Sequence, residues 1–458
     1  MSKDLESTAG MGRREFLLST AALSAGLTLS RNARAQENSP ELSAVSPSDE
    51  LNVAMIGLGA EGMVLMDACL RIPGIRFRAV CDIWEYSRQR GARTLKKYGQ
   101  PVNDYEDYRD LLENEKGLDA VIVATPDWMH AEHTIACLES GYHVYCEKEM
   151  SNSLDLARQM VLAARRTGKL LQIGHQRRSN PRYHHAIDTM VHNHDLLGRV
   201  THGYGQWNRA VSEDLGWPRK YELDRATLDK YGYESMHAFR NWRWYRKYGG
   251  GPIVDLGSHQ IDIFSWVFKA MPKSVMAGGG IDYYKQHEWY DNVMAIYEYD
   301  TPQGVSRAMY QVLTTTSNGG FYENFMGTDG TLVISEVPQR GNHFLRENHV
   351  PEMEWEKFVA DGLLTQAAAP PPVTADKTKD VLVDVRVSAE LGSWGIPVTL
   401  NKPVHQPHLE NFFDAVRYGT PLNCPAEIGY ETAVAVLKVN EAVAAGKTLG
   451  FAPEEFVV

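Results

Sequence analysis

From residue 51 the chain alternates between two hydrophobic periods. "LNVAMI", "IRFRAVC", "LDAVIV", "YHVYC" and "LLQI" are short apolar runs, the signature of strands buried on both faces. Between them apolar residues return every three or four positions, as in "MVLMDACLRI", "HAEHTIACLESG" and "SLDLARQMVLAARRTG". The last two helices stop at Gly141 and Gly168. Buried strands alternating with helices predict a parallel sheet covered on both sides, whose ligands lie at the carboxyl ends of the strands. From about residue 176 the composition turns to Tyr, Trp, Arg and His, and "KSVMAGGGIDYY", "DNVMAIYEYD" and "VSRAMYQVLTTT" read as further strands. The expected class is α/β, with one domain over 51–175 and a second over 176–458.

The first strand runs into Gly57-x-Gly59-x-x-Gly62. Gly57 permits a tight turn, Gly59 lets the backbone approach a pyrophosphate, and Gly62 lets helix and strand pack closely. The second strand ends in Asp82, placed to accept from a ribose 2′-hydroxyl and to repel a 2′-phosphate. The first domain is therefore expected to be a Rossmann domain holding NAD, with Arg88 leaving NADP open. Gly57, Asp82, Pro126, Lys148 and His175 all fall at strand ends along one edge. In the second domain, Gly249-Gly250-Gly251-Pro252 breaks the chain before a helix. On that helix Asp255, His259 and Asp262 share one face, and Ile261, Phe264 and Phe268 another.

Ahead of the folded part, Arg13-Arg14, a modest apolar run and Ala33-Arg34-Ala35 have the form of a twin-arginine export signal over 1–35, with a polar leader over 36–50. The run is too short to span ~30 Å of hydrocarbon, so a periplasmic protein with no membrane anchor after processing is expected. A net charge of -11 argues against a nucleic-acid partner. Five cysteines without metal-ligand spacing predict neither a disulfide framework nor a metal site. "AAAPPP" at 367–372 reads as a surface loop.

The motifs "GLGAEG", "ATPDWMHAEH", "CEKEM", "GGGPIVDLGSHQID", "GTDGTLVISE" and "PHLENFFDAVRYGTPLNCP" together resemble the glucose–fructose oxidoreductase / inositol dehydrogenase / MocA family over nearly all of the mature length. The resemblance implies a second domain built on a large, mostly antiparallel sheet, with substrate on one face and an oligomer interface on the other, as a homodimer or homotetramer. It implies that Lys148, Asp255 and His259 line the point where hydride leaves a sugar carbon. It also assigns Thr125, Pro126, His130, Glu147 and Lys148 to the cofactor side. Oxidising a secondary alcohol needs a base for the hydroxyl proton. His259 and Lys148 are both candidates, and Asp255, one turn before His259, is placed to orient it. Glu149 stands where relatives carry proline, which leaves the peptide bond cis or trans and Glu149 either paired with Lys148 or added to the pocket as an acid. His175, Arg178, Tyr183, Trp207, Arg243 and His259 are the candidate substrate contacts.

An exported enzyme has no cytoplasmic NAD pool, so the cofactor is expected to stay tightly bound. The expected activity is oxidation of a secondary hydroxyl of a sugar or glycoside, at C3 by family habit. The alternative is a redox-neutral NAD-dependent glycoside hydrolase, which oxidises transiently and eliminates the leaving group without paired carboxylates. A non-catalytic sugar-binding protein on the same fold is a third reading.

Overall fold

The computed structural model describes residues 49–366 and 391–458. The expected signal, nearly all of the leader and the "AAAPPP" loop lie outside the described residues. The apolar runs of the first domain form strands β1 (Leu51–Ile56), β2 (Ile75–Cys81), β3 (Asn103–Tyr105), β4 (Ala120–Val123), β5 (His143–Cys146) and β6 (Leu171–Ile173). They pair in parallel in the order β3-β2-β1-β4-β5-β6, the doubly wound arrangement that the alternation predicts. Helices α1 (Ala60–Cys69), α2 (Glu85–Lys97), α3 (Tyr108–Asn114), α4 (Asp127–Glu139) and α5 (Leu154–Thr167) connect them. Helix α1 begins inside the glycine motif, three residues before its apolar period becomes visible, because a Rossmann helix starts where the phosphate turn ends. Gly57 adopts φ +95°, and a Cβ on Gly62 would lie 2.1 Å from the Gly57 carbonyl oxygen, so neither position takes a side chain.

The second domain is built on strands β7 (Val200–Asn208), β8 (Pro272–Gly280), β9 (Asn292–Thr301), β10 (Gly304–Leu313), β11 (Phe321–Gly327), β12 (Gly330–Ile334), β13 (His343–Arg346), β14 (Thr365–Gln366), β15 (Gly392–Gly395) and β16 (Leu449–Gly450). Among the described residues they make one sheet, antiparallel except where β7 pairs with β10. Helix α6 (Gly251–Phe268) packs on β7, β9 and β10. Its polar stripe does not face solvent: His259 and Asp262 are buried with most of the helix, and Asp255 is half-buried.

The chain then returns to the first domain. Helix α7 (Gln406–Tyr418) inserts Leu409, Phe412 and Phe413, all fully buried, into the core of β1 and α1. Arg417 donates to the carbonyls of Asp49 at 2.8 Å and Pro73 at 2.8 Å. Helix α7, although it follows residue 175 by far, thus completes the core of the first domain. Helix α8 (Ala426–Ala445) lies against α5, α6 and β8 and ties the two layers together. All five cysteines are buried and free, and no described helix is long and apolar enough to cross a membrane.

The linker after β6 is fastened by charge. Arg177, 1% exposed, reaches Glu323 of β11, which is fully buried, and bonds Glu336 at 2.8 Å. Tyr183 donates to the other oxygen of Glu323 at 2.7 Å. Removing the cation would leave two enclosed carboxylates without a counter-charge. Arg177→Met is expected to lower unfolding free energy by about 3–5 kcal/mol in a urea titration; a change under about 1 kcal/mol would show that water reaches the pair.

Candidate active site

The turn between β1 and α1 is shaped for a dinucleotide. A Cβ on Gly59 would meet nothing within 4 Å, so the backbone there faces open space. Gly59 caps α1 with no side-chain bond, leaving the first helical amides to face that space. Asp82 lies across the opening, its carboxylate accepting from the amides of Leu58 at 2.8 Å and Trp84 at 2.9 Å. A carboxylate has further lone pairs, so Asp82 can still accept from a ribose hydroxyl. These features fit a bound dinucleotide. Arg88, the residue that left a 2′-phosphate open, donates to the Asp82 carbonyl at 2.7 Å and faces Asp104 at 3.6 Å.

Residues beyond β7 cover the adenosine side of this opening. The Trp84 indole donates to the Tyr221 carbonyl at 2.6 Å, with the Arg240 guanidinium 4.7 Å from its ring. Tyr86 meets Tyr221 at 5.2 Å, and Trp128 meets Tyr248 at 5.2 Å. The segment around 221–248 is thus strapped onto the edge of the first domain by aromatic contacts. The sequence shows the aromatic residues but not which surface they cover.

Lys148 follows β5 and reaches across to α6. Its Nζ donates to the Asp255 carbonyl at 2.6 Å and lies 3.5 Å from Asp255 Oδ1. Arg243 Nε bonds the same Oδ1 at 3.1 Å. Burial pushes the Asp255 pKa up, but Arg243, then Lys148 and Arg209, outweigh it and hold the carboxyl below the usual range. Asp255 is therefore an ionised anchor for Lys148 and not, as the spacing suggested, the partner of His259. The i, i+4 separation puts both on one face, but the carboxylate turns to the stronger charges.

His259 is 7% exposed, its Nδ1 without a partner and its ring 5.3 Å from that of Trp207, which stacks on Phe321 at 4.3 Å. Burial, then Lys148 and Arg177, hold its pKa well below the ordinary value, so the imidazole is neutral. His175, 1% exposed, has two unpartnered ring nitrogens, and burial lowers its pKa to about 4. Two neutral imidazoles with free nitrogens beside an ammonium group make a place where a hydroxyl proton can be accepted.

Other expected contacts are already engaged. Arg178 bonds Asp262 through Nε at 2.8 Å, and Thr432 Oγ1 joins the same carboxylate at 3.0 Å. Tyr183 is fully enclosed with its hydroxyl on Glu323, so it is closed to substrate. His130, expected at the cofactor, is buried with one ring nitrogen 2.6 Å from the Glu149 carbonyl oxygen and the other 2.6 Å from that of Thr125; it packs against the Lys148 loop. Thr125 Oγ1 meets His133 Nδ1 at 3.1 Å, and Pro126 precedes α4 as its cap residue. Glu147 is buried beside Glu61, and burial and that neighbour push its pKa to about 7. Glu61, Glu147 and His405 bring their ligand atoms within 4.8 Å of one another. Hydrogen bonds and an ion pair account for them: Tyr145 and the Lys148 amide on Glu147, each at 3.2 Å, and Glu61 on His405 at 3.2 Å.

The Lys148–Glu149 peptide is cis. Glu149 neither pairs with Lys148 nor enters the cleft. It is fully buried, taking the Met150 amide on Oε1 at 2.8 Å and leaving Oε2 without a partner. Two groups went unread in the sequence. Asp127, between Pro126 and Trp128, is 4% exposed, and burial and Asp255 push its pKa to about 7. Arg209, just past β7, has its guanidinium 5.3 Å from the Trp207 ring. Their signal was position, since each sits directly after a strand-end residue already singled out or at a strand terminus.

The model of an oxidoreductase family with an NAD-binding Rossmann fold matches residues 51–175, and that of the GFO/IDH/MocA C-terminal domain matches 191–333. A glycosyl hydrolase family 109 protein of Shewanella sp. (strain ANA-3) is 30% identical over 261 residues, covering 53% of this chain and 54% of the relative. The match thus spans about half the length of such curated relatives. Aldose-aldose oxidoreductase from Caulobacter crescentus superposes with TM-score 0.63 at 16% identity over 88% of this chain and 100% of its own. The WlbA dehydrogenase from Bordetella pertussis, in complex with NADH and UDP-GlcNAcA, gives TM-score 0.62 at 16% identity over 88% and 99%. At these identities the structural likeness is one of fold.

Glu149 makes stability depend on pH. Burial raises its pKa from 4.5 to about 8, so between those values the unfolded chain releases a proton that the folded chain keeps, and stability falls as pH rises. Glu149→Gln is expected to raise the melting temperature by several degrees at about pH 8 and by less at about pH 5. An unchanged pH slope would show that Glu149 ionises freely in the fold.

Proposed function

The chain belongs to the GFO/IDH/MocA oxidoreductase family, and on that premise we propose that it oxidises a secondary hydroxyl of a sugar or glycoside, C3 by family habit, in the cleft around Lys148, Asp255 and His259. The observation that carries the reading is the ammonium of Lys148, fixed by Asp255 beside the neutral, unpartnered Nδ1 of His259. Bound NAD would supply the hydride acceptor, held by Gly57, Gly59, Gly62 and Asp82. Lys148 donates a hydrogen bond to the substrate oxygen and stabilises charge developing on it. His259 accepts the hydroxyl proton, a role an ammonium cannot fill while it donates. Trp207 offers its ring and Arg243 its remaining donors to the sugar.

NAD is favoured over NADP because Asp82 faces the ribose position and Arg88 is committed to its own domain. Tight retention is supported by the aromatic strap over Trp84 and by the twin-arginine form of residues 1–35, which we read as export to the periplasm. Homo-oligomerisation is supported by an open apolar row on the second sheet, where exposed Met276, Ile296 and Met309 lie in register.

A second reading, the redox-neutral glycoside hydrolase, is favoured by the family 109 relatives. It uses the same first oxidation, then removal of the C2 proton, elimination, water addition and return of the hydride. Asp127 or His175 would serve as the further base. A glycoside that is cleaved with no net nicotinamide reduction would select it.

Lys148→Ala and His259→Ala, purified without added nucleotide, are expected to retain bound NAD while losing at least about 100-fold of single-turnover nicotinamide reduction. Full activity in both variants would overturn the site, and loss of nucleotide on purification of the wild type would overturn tight retention.

A further inference from the structure

Two enclosed guanidiniums that follow β6 have carboxylates of their own: Arg178 has Asp262, and Arg177 has Glu323 and Glu336. The cleft is different. Lys148, Arg243 and Arg209 all bear on one ionised group, Asp255. Asp127 and Glu147, the acids flanking the Lys148 loop, are both pushed up to about 7, by burial together with Asp255 for the first and Glu61 for the second. His175 and His259 contribute no charge, and Glu61 is taken by His405 on the phosphate side.

Arg209 is the cation left over. Its backbone amide bonds the Leu313 carbonyl at 2.8 Å, while its guanidinium makes no ion pair or side-chain hydrogen bond among the described residues. It is exposed, lying 5.3 Å over the Trp207 ring, whose neighbour at 5.3 Å is His259. The free guanidinium and the proton acceptor thus flank one aromatic ring. A sugar bound beside that ring would present a hydroxyl to His259 and a ring substituent to Arg209. Five unused N–H donors in a planar fork match an anionic oxygen pair far better than a hydroxyl.

We infer that the substrate carries an anionic substituent on the sugar, a carboxylate or a sulfate, recognised by Arg209 with Arg243. This rests on the cleft being the sugar site, and it is read from binding without turnover. The holoenzyme is titrated calorimetrically with D-glucuronate, D-galacturonate and D-glucose 6-sulfate, and with D-glucose and D-galactose, at low and high salt. The account predicts that at least one class of anion binds about tenfold or more tightly than its neutral counterpart, with the difference shrinking as salt rises. The uronates and the sulfate separate the two sources of charge. Arg209→Met is expected to abolish the preference and Arg209→Lys to retain part of it, with melting temperature and NAD content checked for each variant. Equal affinity for charged and neutral sugars would overturn this inference and leave the oxidation site standing. Binding of none would overturn both.

Discussion

Asp255 keeps its negative charge inside the protein because Lys148 arrives from the first domain and Arg243 from the second. Burial pushes its pKa up; Arg243, Lys148 and Arg209 outweigh that. The consequence is mechanical as well as electrostatic. An ionised Asp255 fixes the Lys148 ammonium against α6, and α6 carries His259 one turn further on. Without that junction the Lys148 ammonium would lose both contacts that hold it against α6.

The charges that steady the cleft also set its chemistry. Burial, then Lys148 and Arg177, deny His259 its proton, so the ring is available as an acceptor. The Arg177, Glu323 and Glu336 staple holds the linker that delivers His175, and His130 packs against the loop that delivers Lys148. Several buried ionic groups thus act at a distance from the reacting atoms, by holding the elements that carry them. On the cofactor side the logic is hydrophobic: aromatic residues from beyond β7 cover Trp84 and close the crevice next to Asp82.

Much of this was legible in the sequence where a residue's role follows from its place on one element. Gly57, Gly59, Gly62 and Asp82 are read from a single βαβ unit, and Lys148 and His175 from strand ends. The α/β class followed from the alternation of periods. What failed depended on partners far along the chain. Tyr183 is enclosed with its hydroxyl on Glu323, 140 residues later, and Arg178 pairs with Asp262, 84 residues later. Asp255 and His259 share a helix face, yet local spacing could not show that Lys148 and Arg243 compete for the carboxylate. Helix α7 reads as part of the second domain by order alone, and only its three buried apolar residues show that it completes the first core.

The oxidative and hydrolytic readings share one event, the departure of hydride from a ring carbon, and that event is open to direct measurement. A glycoside that the holoenzyme converts is compared with the same compound deuterated at C3, in a single turnover followed at the nicotinamide absorbance. The account predicts slower appearance of reduced nicotinamide with the deuterated compound, by about two- to fivefold, the scale of a small barrier difference in a hydride step. Conversion at an unchanged rate, with no transient absorbance at all, would contradict hydride transfer in this cleft.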